Sequence, residues 1–76
     1  PEEVLFAREI NLLIEMTVSE MPIQRQKIYR YSRERGLSNS DISEKLGISK
    51  KTVENQLSLA LHEIRKIISL FFILFS

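Results

Sequence analysis

The chain has 76 residues, of which 43% are hydrophobic and 28% are charged, and its formal net charge is +1 at pH 7. That length allows one small domain and excludes a barrel or a doubly wound sheet. The absence of cysteine and the single histidine, His62, argue against a disulfide framework and against zinc or haem. Two glycines and two prolines allow few tight turns, and no segment alternates with the period of a strand. We therefore predict an all-α domain with no metal and no cofactor.

The charges are unevenly distributed along the chain. Residues 1–22 carry five acids and one base, a net charge of −4, whereas residues 23–66 carry ten bases and five acids, a net charge of +5. A basic block of this kind is where an anionic partner would bind. Scattered lysines on a solvated helix face would give the same balance, so the charge alone leaves both interpretations open.

The longest apolar run, residues 67–75, is interrupted by Ser69. As a helix it would span roughly 14 Å, about half of a bilayer core, so it is not expected to cross a membrane. No basic segment followed by an apolar stretch indicates a secretory signal. We expect a cytoplasmic protein and, because the chain begins with Pro1 rather than Met, a fragment of a longer chain.

Periodicity and stop signals predict four helices, the first over residues 2–19. Its apolar face is unusually wide and consists of two stripes, one with Phe6, Ile10, Leu13 and Ile14 and the other with Leu5, Leu12 and Met16. A face of this width predicts contact on two sides, with the core and with either a partner or the apolar tail. The second helix is expected to start with Pro22 at its first position and to end near Arg35, with Gly36 as a left-handed stop.

A short third helix is predicted to open at Ser38, with Asp41 three residues later in a capping-box-like arrangement, and to end at Gly47. Ser49 is the expected N-cap of the fourth helix. The inward stripe of that helix has spacings of 4, 3, 1, 3 and 4 and consists of Val53, Leu57, Ala60, Leu61, Ile64 and Ile68.

The third helix, the turn at residues 47–49 and the fourth helix have the pattern of a helix-turn-helix, over about residues 38–59. Gly47 suits a turn position with positive φ, and Ile48 is expected to be buried between the two helices and to fix their crossing angle. The second helix of such a motif presents its first two turns to the major groove. We therefore predict a small four-helix domain with a three-helical DNA-binding core, winged-helix-like or homeodomain-like, and an apolar C-terminal helix end.

The face of the fourth helix opposite the inward stripe carries Lys51, Thr52, Asn55, Ser58 and Leu59, with His62 one turn further along. Asn55 is a poor helix former in an exposed mid-helix position, and its amide can pair bidentately with adenine. Ser49 and Lys50 lie at the helix start, which suits a phosphate, although Ser49 would cap the helix without DNA. Lys50 and Lys51 could also be merely solubilising, and His62 is expected to lie beyond the groove.

Three residues at the predicted start of the third helix, Ser38, Asn39 and Ser40, are further candidate phosphate contacts. Catalytic residues are not predicted, because His62 has no neighbouring cysteine or carboxylate pair that would form a nucleophile and base. The sequence also has no glycine-rich phosphate loop and no metal-ligand spacing. We predict a binding module rather than an enzyme.

The segment from Met21 to Lys66 resembles region 4 of bacterial RNA polymerase sigma factors of the extracytoplasmic-function group, within the sigma-70 family. The matching residues are Met21-Pro22, Gly36-Leu37-Ser38, Asp41-Ile42, Leu46-Gly47-Ile48-Ser49, Thr52-Val53, Ala60-Leu61 and Ile64-Arg65-Lys66. The chain departs from the family pattern at Gln26, where arginine is usual, at Arg30, where an apolar residue is usual, and at Ser43, where alanine is usual. These departures affect individual phosphate and core positions but not the turn.

The resemblance implies that the domain reads the −35 promoter element in transcription initiation. It places Lys50, Lys51, Thr52, Glu54, Asn55 and Ser58 at promoter-contacting positions. The implied partners are double-stranded promoter DNA, the β-subunit flap of the RNA polymerase core and an anti-sigma factor. The apolar tail is also a candidate contact between two copies of the chain.

Two alternatives stay open. The segments GLSN and ISKKTVE fit the LuxR-type output domain of response regulators, which binds operator DNA, nearly as well. Met21-Pro22 before the second helix and the ending ALHEIRK favour the sigma resemblance. A second alternative, from a different class, is a helical module that docks on polymerase or an anti-sigma factor through its apolar faces and has little contact with DNA.

Overall fold

A computed structural model describes the chain from residue 2 to residue 75, with side chains from residue 6 to residue 74. It contains four helices, α1 (Glu2–Ser19), α2 (Ile23–Arg33), α3 (Asn39–Leu46) and α4 (Lys50–Phe75). The prediction of a small four-helix domain is confirmed. No strand occurs between residues 2 and 75, and α2, α3 and the start of α4 together form a three-helical core.

The second helix is shorter than predicted at both ends. Pro22 is its N-cap, with a ψ of 144°, and is not the first helical residue, so α2 begins at Ile23. At the other end, the N–H groups of residues 34 and 35 both donate to the carbonyl of Arg30, and this shared acceptor ends the regular helical pattern early. Gly36 then adopts a φ of +67°, as predicted, and redirects the chain towards α3.

The caps around the helix-turn-helix follow the sequence signals. The N–H of Asp41 donates to Ser38 Oγ at 3.1 Å, which confirms Ser38 as the N-cap of α3. Gly47 ends α3 with a φ of +67°. A Cβ at Gly47 would meet no atom within 4 Å, so the left-handed backbone, rather than a lack of space, favours glycine here. Ser49 follows as the N-cap of α4.

The buried side chains form two clusters. The first lies between α2, α3 and the start of α4 and is built on Ile28, Ile42 and Val53, each fully buried. Partly buried side chains surround it, namely Tyr31, Leu37, Leu46, Ile48 and Leu57. Ile48 therefore joins the helix-turn-helix core from the turn, as predicted. Burial of these apolar groups holds α3 and α4 at a fixed crossing.

The second cluster joins α1 to the middle of α4. It is built on Val18, Met21, Ala60 and Ile64, with Ile14, Tyr29 and Ile68 packed against it. The two clusters together confirm most of the predicted inward stripe of α4. Leu61 is the exception, because it belongs to neither cluster and is only partly buried. The buried stripe of α4 is therefore narrower at Leu61 than the spacing of its apolar residues predicted.

The wide apolar face of α1 is packed on one side only within the described part of the chain. Leu13 and Ile14 are partly buried, whereas Leu12 and Met16 are 61% and 59% exposed. Leu5, the third residue of that outer stripe, lies outside the range of described side chains. At Leu12 and Met16, therefore, no described part of the chain covers the outer stripe of α1 as the predicted second contact.

The apolar tail folds against the start of α1. The ring of Phe6 lies 5.3 Å from that of Phe71 and 5.4 Å from that of Phe72, so the predicted contact between tail and first helix occurs within one chain. Ile73 and Leu74 are 72% and 75% exposed on the outside of the same turns. None of the helices between residues 2 and 75 has the combination of length and hydropathy that spans a bilayer.

A polar contact also links α1 to α2. Arg30 Nη2 and Nη1 donate to the two carboxylate oxygens of Glu15 at 2.8 and 3.1 Å, and Nη1 also donates to Glu34 at 2.7 Å. The hydrogen bonds from Arg30 lower the pKa of the Glu15 carboxyl, and those to Glu15 raise the pKa of the guanidinium. Arg30 thus serves as a bridge to the acidic first helix.

Deleting residues 70–76 should lower the midpoint of thermal unfolding, because it removes both rings that contact Phe6. Aromatic pairs stabilise by about 0.5–1.5 kcal/mol each beyond the area that they bury, so the loss of two pairs corresponds to a fall of roughly 4–24 °C in a domain of this size. Serine at Ile73 and Leu74 is the matched control and should leave the midpoint nearly unchanged. An unchanged midpoint after the deletion, measured by circular dichroism, would show that the tail does not stabilise the fold.

Candidate DNA interface

The side of α4 that faces away from both clusters is polar and accessible. The exposed residues there include Lys50, Lys51, Glu54, Asn55 and Ser58, and Thr52 is partly exposed at the edge. Val53 and Leu57 are held in the first cluster, so the opposite side of α4 faces outward. The structure therefore brings the predicted contact residues of α4 together on one outward face, which we call the outer face.

The start of α4 combines a side-chain cap with two lysines. Ser49 Oγ accepts a hydrogen bond from the N–H of Thr52 at 3.0 Å and lies 2.8 Å from Thr52 Oγ1. The first N–H groups of a helix have no acceptor within it, and the helix dipole is positive at this end. Lys50 and Lys51 add two exposed charges at the same place. This end of α4 is suited to an anion such as a DNA phosphate.

The start of α3 is less cationic. The hydroxyl of Ser38 is used to cap the helix, Asn39 is partly buried and Ser40 is exposed. Asp41 places a carboxylate in the same first turn, and a carboxylate repels phosphate. Ser38 and Ser40 are both exposed, and Ser40 is the one of the two whose hydroxyl does not cap the helix.

The outer face continues beyond the first two turns of α4 as a shallow depression. Its lining consists of Asn55, Ser58, Leu59, Leu61, His62 and Arg65. Leu59 is 45% exposed, and His62 and Arg65 are also exposed. Arg65 was not among the predicted contacts, although its spacing from Ser58 and His62, seven and three residues, places it on the same side of a helix.

Two further basic side chains gather at the ring of Tyr31. The guanidinium of Arg35 lies 5.2 Å from the ring centroid and the ammonium of Lys45 lies 5.6 Å from it, both within the range of a cation–π contact. Tyr31 itself packs on the first cluster, as its helical spacing indicates. The ring of Tyr31 thus holds the cation of Arg35, two residues after the end of α2, close to that of Lys45 near the end of α3.

A third arginine bridges α2 and α4. Arg25 Nε donates to Gln56 Oε1 at 2.9 Å, and its Nη1 donates to Glu63 Oε1 at 2.8 Å. Sequence reasoning missed this bridge, because its partners lie 31 and 38 residues along the chain. Helical spacing and capping signals relate only neighbouring residues, so they cannot predict a contact that forms when two helices pack.

A comparison with models of known protein families gives a match over the helix-turn-helix and the helix before it. Residues 11–64 match the family described as Sigma-70, region 4. The chain belongs to this family. The matched range contains the second half of α1, the whole helix-turn-helix and the first fifteen residues of α4. No curated protein was found to match the chain.

Membership in this family confirms the resemblance to region 4 of the sigma-70 family. Region 4 is a DNA-binding regulatory domain with a role in transcription initiation, and it is not a catalytic family. Membership in the family implies interaction with promoter DNA and with the RNA polymerase core. The family match favours this assignment over the LuxR-type output domain. It ends at Ile64, so Arg65 and the apolar tail lie beyond the matched residues.

Proposed function

We propose that residues 1–76 form the −35-reading domain of an extracytoplasmic-function sigma factor and are one domain of a longer, cytoplasmic chain. The observation that carries the proposal is the outer face of α4. Packing of Val53 and Leu57 into the first cluster turns Lys51, Asn55 and Ser58 outward together, directly after a capped and lysine-flanked helix start. A helix presented in this way enters the major groove with its first turns.

The side chains of the outer face have distinct roles in this proposal. Lys51 and Asn55 are one turn apart and approach base edges, where the Asn55 amide can pair bidentately with adenine. Thr52 offers a methyl group to thymine, and Ser58 contacts a phosphate. Glu54, at the edge of the face, accepts from a cytosine amino group or orients a lysine.

Phosphate contacts position the helix in the groove and carry no sequence information. Ser49 and Lys50 supply them at the start of α4, where the helix dipole favours an anion. Ser38, Asn39 and Ser40 supply further contacts from the start of α3, and the accessible Ser40 is the strongest of these. The cations at Tyr31 extend the positive surface beside the helix-turn-helix.

A second candidate function, docking on a protein, is favoured by the apolar side chains left exposed on α1 and the tail. Leu12, Met16, Ile73 and Leu74 are each more than half exposed, on α1 and on the C-terminal end of α4. We propose that this surface contacts the RNA polymerase core at the β-subunit flap. An anti-sigma factor or a second copy of the chain would compete for the same side chains.

Selection from a library of random double-stranded DNA tests the main proposal. The chain should enrich duplexes with one short common element, and its affinity should be weak and fall with salt, because a single module makes few phosphate contacts. Binding should be measured by fluorescence polarisation against a scrambled version of the enriched duplex, at several salt concentrations. Enrichment of no element, or tight binding that does not respond to salt, would contradict the proposal.

Two single substitutions separate base reading from phosphate binding. Asn55→Ala should cost roughly 1–3 kcal/mol on the enriched duplex and relax preference at one base pair. Lys50→Ala should weaken binding to all sequences alike and make the salt slope shallower by about one unit. Both residues are exposed, so the fold should survive both changes. Equal losses on the enriched and the scrambled duplex for Asn55→Ala would leave α4 as a backbone clamp without a base-reading role at Asn55.

A further inference from the structure

The bridge made by Arg25 contacts the helix that carries the outer face. Arg25 lies on α2, and its two acceptors, Gln56 and Glu63, lie on α4. The acceptors are seven residues apart, so they occupy one side of the helix about 10 Å from each other along its axis. The Arg25 side chain is 17% exposed and that of Glu63 is 41% exposed, so the contact is partly shielded from water on the arginine side.

The Arg25 bridge constrains α4 in a way that the apolar clusters do not. Apolar burial is non-directional, so it defines the rotation of a helix about its own axis less exactly than hydrogen bonds do. A guanidinium donates through fixed, planar N–H directions. Because Arg25 uses separate nitrogens for Gln56 and Glu63, rotation or sliding of α4 would break at least one of the two bonds.

A small rotation of α4 is enough to matter for base reading. Side chains reach about 5–6 Å from a helix axis, so a turn of 20° moves their tips by about 2 Å. The donor–acceptor distance of a hydrogen bond ranges over only about 0.5 Å, so such a shift removes a base contact from Asn55. A flexible lysine at a phosphate tolerates the same shift.

We infer that Arg25 is a positioning residue for DNA recognition, which sets the rotation of α4 against α2 and thereby the sequence preference of the outer face. This inference rests on the proposed function. Arg25 does not act as a phosphate contact, because its charge is paired with Glu63 and its side chain is largely covered. Gln56 is a positioning residue as well, because its Oε1 accepts the hydrogen bond from Arg25 Nε and it directly follows Asn55 in α4.

Two conservative variants test the Arg25 bridge on the whole chain. Arg25→Lys keeps the charge and the means to pair with Glu63 but cannot reproduce both bonds, and Gln56→Leu removes one acceptor at similar volume. Each should lower the ratio of affinities for the enriched and scrambled duplexes by about five- to tenfold, with the scrambled affinity and the salt slope unchanged. Arg33→Lys, an exposed change on the same helix, is the control and should leave the ratio unchanged.

A distance measurement gives a second readout that does not depend on DNA. The chain has no cysteine, so spin labels can be placed at Lys27→Cys on α2 and Lys66→Cys on α4, both exposed positions. The inter-label distance should be narrowly distributed in the parent chain. It should broaden or shift by about 2 Å in Arg25→Lys and in Gln56→Leu, at temperatures well below unfolding.

An unchanged distance distribution in both variants overturns the positioning role. A changed distribution with an unchanged affinity ratio overturns its link to specificity, as does a parallel loss on both duplexes. If the parent chain shows no sequence preference at all, the proposed function fails. The distance distribution then decides by itself whether Arg25 positions α4.

Discussion

One helix closes both buried clusters of this domain, and most other features of the structure depend on that constraint. The 26 residues of α4 extend over about 39 Å. Val53, in the first half of α4, packs in the helix-turn-helix cluster, and Ala60 and Ile64, in the middle of α4, pack in the cluster with α1. Because both contacts use one stripe of side chains, α4 cannot turn to satisfy one cluster without disturbing the other. The core therefore decides which side of α4 faces outward, and the Arg25 bridge limits the rotation that the core leaves open.

The polar bridges modify the charge that a DNA molecule would meet. The basic block of residues 23–66 has a net charge of +5, but two of its arginines are held by carboxylates. Arg30 is bridged to Glu15 on α1, and Arg25 is bridged to Glu63 on α4. The bridges leave eight basic residues of the block, of which four lie at the start of α4 and around Tyr31 and the other four are Lys27, Arg33, Arg65 and Lys66. Part of the positive charge therefore stays on α2, at Lys27 and Arg33.

The sequence predicted the features that depend on neighbouring residues. Gly47 and Ser49 define the turn through a left-handed backbone and a side-chain cap, which are local effects, and both were found where expected. The outward position of Asn55 follows from helical spacing alone. The DNA contacts themselves stay predictions, since they depend on a partner molecule.

The features that sequence reasoning missed depend on three-dimensional packing. Val18 is fully buried although the predicted stripes of α1 did not include it, because the crossing of α1 over α4 decides which side of a wide apolar face is covered. The same crossing leaves Leu12 exposed. The Arg25 bridge joins residues on helices that are far apart in sequence, so no periodicity or cap signal reports it.

The most direct test of the account is a nuclear magnetic resonance titration of the isotope-labelled chain with an enriched duplex at low salt. The account predicts the largest amide shift changes in residues 49–62, with smaller changes at the start of α3. The residues around Leu12, Met16 and Leu74 should be almost unaffected. Changes centred on α1 and the tail, with the first turns of α4 unchanged, would contradict the claim that α4 is the helix that reads DNA.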